Sequence, residues 1–303
     1  MRTLVVGGTG LTGAQTALHL ADLGHEVTTM SRFELSEAAP VAHLPHRQGN
    51  YVEAPPTAEE LKDFENIIFC AGADIRTLPE GVDPDRYYHQ ANAVALPRFF
   101  EQAKNAGVRN AIHICSFYPH IVPAAVTTVP YLASRYDATQ AVLAMNSDAF
   151  KTCSLDAPPI VGYLPGVALD HLFAIVHYVL GRIEGLPIVA PGGSMNFIAS
   201  TSMAEAVASA IHQGDAGHAY LVGDENLTWK EFLELFAAAA GCPQDLPVSE
   251  DEHPLFPDMI LYAGRNAEVV YEPEMGSLQY SRGQIGAAVQ AIVDGYLNNE
   301  TSM

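Results

Sequence analysis

The sequence predicts an α/β protein built on a doubly wound parallel sheet, with a smaller C-terminal substrate lobe. Three observations carry this. An apolar run at the start of the chain, Thr3-Leu4-Val5-Val6, breaks directly into a glycine cluster. Apolar runs of strand type then alternate with stretches of helical period, the pattern of strands joined by crossover helices. The 303 residues are 49% hydrophobic, which supports one large buried core and excludes a disordered chain.

Each element follows from its local pattern. Ala14, Ala17, Leu18 and Ala21 share one face of a helix predicted over 13–23, and Gly24 stops it. Residues 26–30 read as the second strand, and 67–71 and 111–115 as further buried strands. Between those two, 90–106 reads as a helix ending at Gly107. The second half is less regular. Pro158-Pro159 and Pro165-Gly166 bracket a strand at 160–163, and 169–182 is an apolar helix. Strands at 195–198 and 218–222 flank a helix at 203–212. A helix at 229–240, an acidic stretch at 243–257 and a tail helix at 282–297 complete the chain. The expected division is a dinucleotide-binding domain over 1–164, with 196–223 adding a late strand and helix. Residues 165–195 and 224–303 then form the substrate lobe.

Charge narrows the partners. The net charge is −20, and residues 151–303 hold only 5 basic against 19 acidic residues. Such a surface repels phosphate backbones and anionic lipid, so neither nucleic acid nor membrane is an expected partner. No apolar run reaches the ~18 residues of a membrane helix and no signal segment opens the chain, so a cytoplasmic location is expected. Cys70, Cys115, Cys153 and Cys242 lie far apart, which fits reduced thiols. His43 with His46, and His171 with His177, lack further ligands at metal-site spacing, so no metal is expected.

The glycine cluster carries the first chemistry. Gly7, Thr9, Gly10, Leu11, Thr12 and Gly13 form a turn between strand and helix, with glycines three apart. That spacing lets the backbone and the open N–H groups of a helix N-terminus approach a pyrophosphate. The second strand ends in Met30-Ser31-Arg32 rather than an acid that would bind ribose hydroxyls. Arg32 can fork onto a 2′-phosphate and Ser31 can add a hydroxyl, so NADP is expected ahead of NAD. Arg47 could supply a second cation if the third strand ends near it.

These segments, with Phe69-Cys70-Ala71-Gly72, the stretch from Asn92 to Ser116, Tyr131-Leu132-Ala133-Ser134-Arg135, Asn196-Phe197-Ile198 and Tyr220-Leu221-Val222-Gly223, resemble the short-chain dehydrogenase/reductase superfamily, in its extended epimerase/dehydratase-like branch. The resemblance runs over nearly the whole length and implies a Rossmann-type sheet of about seven strands. It also implies cofactor contacts from Cys70, Ala71, Gly72 and Asn92. Gln48-Gly49-Asn50 is similar to the family's adenine-contacting Gly-Asp, with Asn50 in place of the acid.

Active members use a Tyr-x-x-x-Lys pair, four residues apart so that both share a helix face, and a Ser or Thr after a strand. Here the pair is Tyr131 and Arg135. The guanidinium keeps the cation beside the phenol and can reach ribose hydroxyls, but unlike lysine it stays protonated. Ser116 is the hydroxyl at the matching strand end, either polarising a carbonyl or capping the strand, and Tyr118 is a fallback proton donor. The leading expectation is an NADP-dependent oxidoreductase exchanging ketone and alcohol on a small, largely uncharged substrate. A nucleotide-sugar epimerase/dehydratase and a non-catalytic NADP-binding sensor are the alternatives. Family members pair through helices matching 90–106 and 131–146, so a homodimer is expected.

Overall fold

The computed structural model describes residues 1–301, with side chains described through Asn298. Strands β1 (Arg2–Val6), β2 (Glu26–Ser31), β3 (His46–Gln48), β4 (Asn66–Phe69), β5 (Asn110–Ser116) and β6 (Lys151–Ala157) build most of one parallel sheet. With β10 (His218–Leu221) at its edge, the sheet has seven strands in the order β10-β6-β5-β4-β1-β2-β3. The order reverses beside β1, and ligands of doubly wound sheets bind at that switch point, beyond the strands' C-terminal ends.

Alternation within β1 shows why the sheet needs helices on both faces. Leu4 and Val6 pack with Phe99, Phe100 and Val142, while Val5 packs with Ala14, Ala17 and Met203. One face is covered by α1 (Leu11–Asp22) and α8 (Ser200–Gln213). The other is covered by α4 (Leu96–Asn105) and α6 (Pro130–Ala144), with the short α2 (Ala58–Leu61) against α4. Small alanines on α1 and α8 let these two helices lie close together, and both bury them.

The predicted helix over 90–106 is longer and less uniform than expected. It starts at α3 (Pro84–Tyr88), widens into a π-helical turn over His89–Ala95 and continues as α4. Such wide turns re-aim a side chain, and this one carries Asn92.

Strand β6 is absent from the sequence reading, whose predicted strand at 160–163 reduces to the two-residue β7 (Ile160–Val161). The second half holds α7 (Asp170–Val179), α9 (Trp229–Ala239) and α10 (Ile285–Thr301), with the short α5 (Tyr118–Ile121) reaching it from the end of β5. Strands β7, β9 (Ser194–Ala199), β11 (Glu225–Thr228) and β13 (Glu268–Val269) form a second sheet, and β8 (Ala190–Pro191) pairs with β12 (Val248–Ser249). Strand β9, grouped with the dinucleotide domain by sequence, thus pairs outside the large sheet, whereas β10 joins it. A separate core of Phe197, Trp229, Phe232, Phe236, Ile285 and Val289 holds these pieces together. No described helix is long and apolar enough to cross a membrane.

Candidate active site

The glycine loop takes the path that its composition requires. Gly7 stands at φ +81°, a conformation L side chains rarely adopt, and a Cβ there would lie 2.8 Å from the Ala71 backbone nitrogen. A Cβ on Gly13 would lie 2.1 Å from the Gly7 carbonyl oxygen, so helix and loop meet backbone to backbone. Gly10 is the N-cap of α1, and neither a capping side chain nor an acid occupies that end. The helix therefore presents its amides and positive dipole end to an anion. Leu11 and Thr12 form its first turn, and Thr9 precedes the cap.

At the end of β2 the polar side chains turn to local partners. Ser31 Oγ donates to the Phe33 carbonyl at 2.9 Å, and Arg32 is exposed with its guanidinium 5.4 Å from the Phe33 ring. Arg47, the candidate second cation, lies on β3 and turns to protein groups. Its Nη1 donates to the Glu60 carbonyl at 2.7 Å and its guanidinium lies 4.8 Å over the Phe64 ring. Asn50 accepts the Val52 amide at 3.1 Å and so shapes its own turn.

The loop after β4 is fixed by Asn92, whose side chain is fully buried. Its Oδ1 accepts the Ala73 amide, while its Nδ2 donates to the Ala73 carbonyl and to Ser134 Oγ, at 3.0, 3.0 and 3.1 Å. One side chain thus ties the β4 end to α6. Burial pushes the Cys70 thiol up to about 12, so it stays protonated.

Tyr131 and Arg135 stand one turn apart on α6. Arg135 Nη2 donates to the Ile114 carbonyl at 2.8 Å, and a Cβ on Gly72 would lie 2.6 Å from its Nη1. The guanidinium therefore sits between the ends of β4 and β5, 7% exposed, with no partner on Nε and no carboxylate paired to it among the described residues. A buried cation left this way is costly unless a ligand adds acceptors. Burial raises the Tyr131 phenol above its ordinary value, and the Arg135 charge works against that rise. Ser116 Oγ accepts the Tyr118 amide at 3.4 Å, so its hydroxyl proton remains available for another acceptor.

Further features escaped sequence reading. Tyr262, from the segment after β12, stacks on Tyr131 with ring centroids 5.2 Å apart and planes at 19°. Tyr88 meets Tyr131 edge-on at 5.4 Å. Near the end of β6 the buried Asp156 accepts from His120 Nε2 at 2.6 Å and from Ser154 Oγ at 2.5 Å. The hydrogen bond to Asp156 raises the His120 value. Among the described residues no three His, Cys, Asp or Glu side chains group as a metal site would need.

The comparisons agree with this geometry. Residues 3–223 match the NAD dependent epimerase/dehydratase family, and the chain belongs to that family of NAD(P)-binding enzymes. No curated protein matches it in sequence. Among solved structures it is similar to a UDP-N-acetylglucosamine 4-epimerase from Methanobrevibacter ruminantium M1 in complex with UDP-N-acetylmuramic acid. That likeness has 16% identity and a TM-score of 0.74, and covers 98% of each chain. MoeE5 in complex with UDP-glucose and NAD is 18% identical with a TM-score of 0.73, over 99% of this chain and 100% of that one. The UDP-glucose 4-epimerase of Thermus thermophilus in complex with NAD is 20% identical with a TM-score of 0.71, over 98% and 99%. These likenesses show the Rossmann-type fold, over 98–99% of this chain.

Proposed function

We propose that this chain is an NAD(P)-dependent enzyme of epimerase/dehydratase type, acting at a hydroxyl-bearing carbon of a sugar-type substrate. The observation that carries it is the convergence of the uncapped, glycine-lined helix end, the buried Arg135 and Tyr131 along one crest of the sheet. The family match favours this over a net ketone/alcohol exchange on a small substrate, the leading sequence expectation. Several solved neighbours are named with nucleotide sugars, so sugars with and without the nucleoside diphosphate are the substrates to assay.

The residues fit a dinucleotide. Gly7 and Gly13 keep clear the space a Cβ would fill, α1 offers its amides to the pyrophosphate, and Arg135 Nε lacks the acceptor a ribose hydroxyl would supply. A dinucleotide held there would supply reversible hydride transfer at the substrate carbon. Tyr131 exchanges the proton of the substrate hydroxyl, and Ser116 holds that oxygen. Arg135 stays charged throughout, so it orients ribose and stabilises tyrosinate without relaying a proton. Arg32, exposed at the end of β2 with no acid before Glu34, supports NADP over NAD, although the solved neighbours above are named with NAD.

Tyr131→Phe tests this reading. It removes the proton donor but keeps the ring, and should lower turnover roughly 10²–10⁴-fold with cofactor affinity unchanged. Undiminished turnover would refute the role.

A further inference from the structure

A nucleotide sugar carries two phosphates, and a lobe that closes over it must meet them with cations. Residues 151–303 contain five basic side chains: Lys151, Arg182, Lys230, Arg265 and Arg282. Arg265 forks onto Asp258, with Nε to Oδ1 at 2.8 Å and Nη2 to Oδ2 at 2.6 Å, and its Nη1 donates to the Glu250 carbonyl. Arg282 donates to the Asp224 carbonyl at 2.6 Å and lies 3.6 Å from Glu272. Lys230 is paired with Asp245 and Glu234. Arg182 donates to the Tyr296 hydroxyl at 3.0 Å and lies over that ring. Lys151 opens β6, which runs parallel to its neighbours, so it stands at the sheet end opposite the glycine loop. The lobe thus turns its four cations onto its own groups, in a half of the chain, residues 151–303, that holds 19 acidic residues.

What this lobe does bring to Tyr131 is a tyrosine wall. Tyr262 lies flat against the Tyr131 ring, Tyr118 meets Tyr262 edge-on at 5.0 Å, and the Tyr118 hydroxyl pins the segment by donating to the Ile260 carbonyl at 3.2 Å. The hydroxyls of Tyr131 and Tyr262 make no hydrogen bond to the described residues. The two phenols cover one another's inner faces and leave a pair of unbonded hydroxyls, an edge that suits a polyhydroxylated ring whose oxygens accept the phenolic protons.

We propose that the substrate is an uncharged ring polyol or glycoside, seated against Tyr262 and Tyr131, and that no diphosphate clamp contributes to its binding. This rests on the hydride-transfer reading above and adds the nature of the substrate's handle.

Saturation-transfer NMR and calorimetry on the protein saturated with NAD test it, using methyl β-glucoside and UDP-glucose as probes. Ring protons of the glucoside should receive saturation, and UDP-glucose should bind with millimolar or weaker affinity, little changed by salt. Tyr262→Ala should abolish the glucoside signal while NAD still binds. Tyr262→Phe, which keeps the stacked ring, should retain the fold and part of the signal. Micromolar binding of UDP-glucose that weakens steeply with salt would overturn the proposal, as would a glucoside signal that is absent from the parent or intact in Tyr262→Ala. Failure of the hydride-transfer reading would appear separately, as absent NAD binding or as undiminished turnover in Tyr131→Phe.

Discussion

Gly10 and Gly13 make a paired test, because the same added methyl group meets very different surroundings. At Gly13 a Cβ would lie 2.1 Å from the Gly7 oxygen, 2.7 Å from its carbonyl carbon and 2.9 Å from the Gly8 Cα. All three are backbone atoms, so α1 must move off the loop. Overpacking of that kind costs about 1–3 kcal/mol, or roughly 2–5 °C in Tm for a chain of this size. At Gly10 the nearest atom is 3.7 Å away and φ is −82°, so alanine fits without strain. Gly10→Ala should therefore stay within about 1 kcal/mol of the parent. Its methyl group, however, stands where a pyrophosphate must approach the α1 amides. Losing one charge-assisted hydrogen bond, about 1.5–3 kcal/mol, weakens NAD(P)H roughly 10- to 100-fold. Thermal melts and nicotinamide fluorescence titrations separate the two variants. A stable Gly10→Ala protein that binds cofactor as the parent does would refute the placement of the pyrophosphate.

Other outcomes follow from single groups. Arg32→Ala should weaken NADP much more than NAD, and equal affinities in the parent would remove the basis for the preference. Burial, with the Arg135 charge adding to it, holds His113 well below its ordinary value of 6.5, and neither of its nitrogens has a partner among the described residues. The unfolded chain therefore binds this proton more readily. The stability it contributes is complete above about pH 6.5 and is lost as pH falls toward the folded value. His113→Leu should flatten that acid-side loss, read from urea midpoints at about pH 7.5 and about pH 5; an unchanged slope would contradict it. Homodimer formation through the α4 and α6 surfaces is also expected. Val94, on the wide turn leading into α4, and Tyr136, on α6, are exposed, and Tyr136→Asp should shift light scattering to the mass of one chain.

The parts of this molecule legible in its sequence are those set by local chemistry. The β1 run, the glycine spacing and the alanine face of α1 each fix their own structure through backbone geometry or a periodic apolar face. Strand β6 escaped because its sequence, Lys-Thr-Cys-Ser-Leu-Asp-Ala, looks polar, yet all but Lys151 are buried. Asp156, for one, is satisfied within the fold by Ser154 and His120. The direction of Arg47 was not legible either, because sequence cannot say that its guanidinium turns to the Glu60 carbonyl. Tyr262 carried no signal at all, since its meaning comes from stacking on a residue far back in the chain. Strand β9 shows the same limit: its apolar pattern marks a buried strand but not which sheet receives it.

Reduction of bound cofactor tests the central claim most directly. Parent and Tyr131→Phe proteins, saturated with NAD or NADP, are mixed rapidly with uncharged glycosides, cyclic alcohols and UDP-sugars, and the transient near-ultraviolet absorbance of reduced nicotinamide is followed through the first turnover. The account predicts that the parent reduces its cofactor with a hydroxylated ring substrate and that Tyr131→Phe does so roughly 10²–10⁴-fold more slowly while binding cofactor equally well. Equal rates in the two proteins, or no saturable binding of either dinucleotide by the parent, would contradict it.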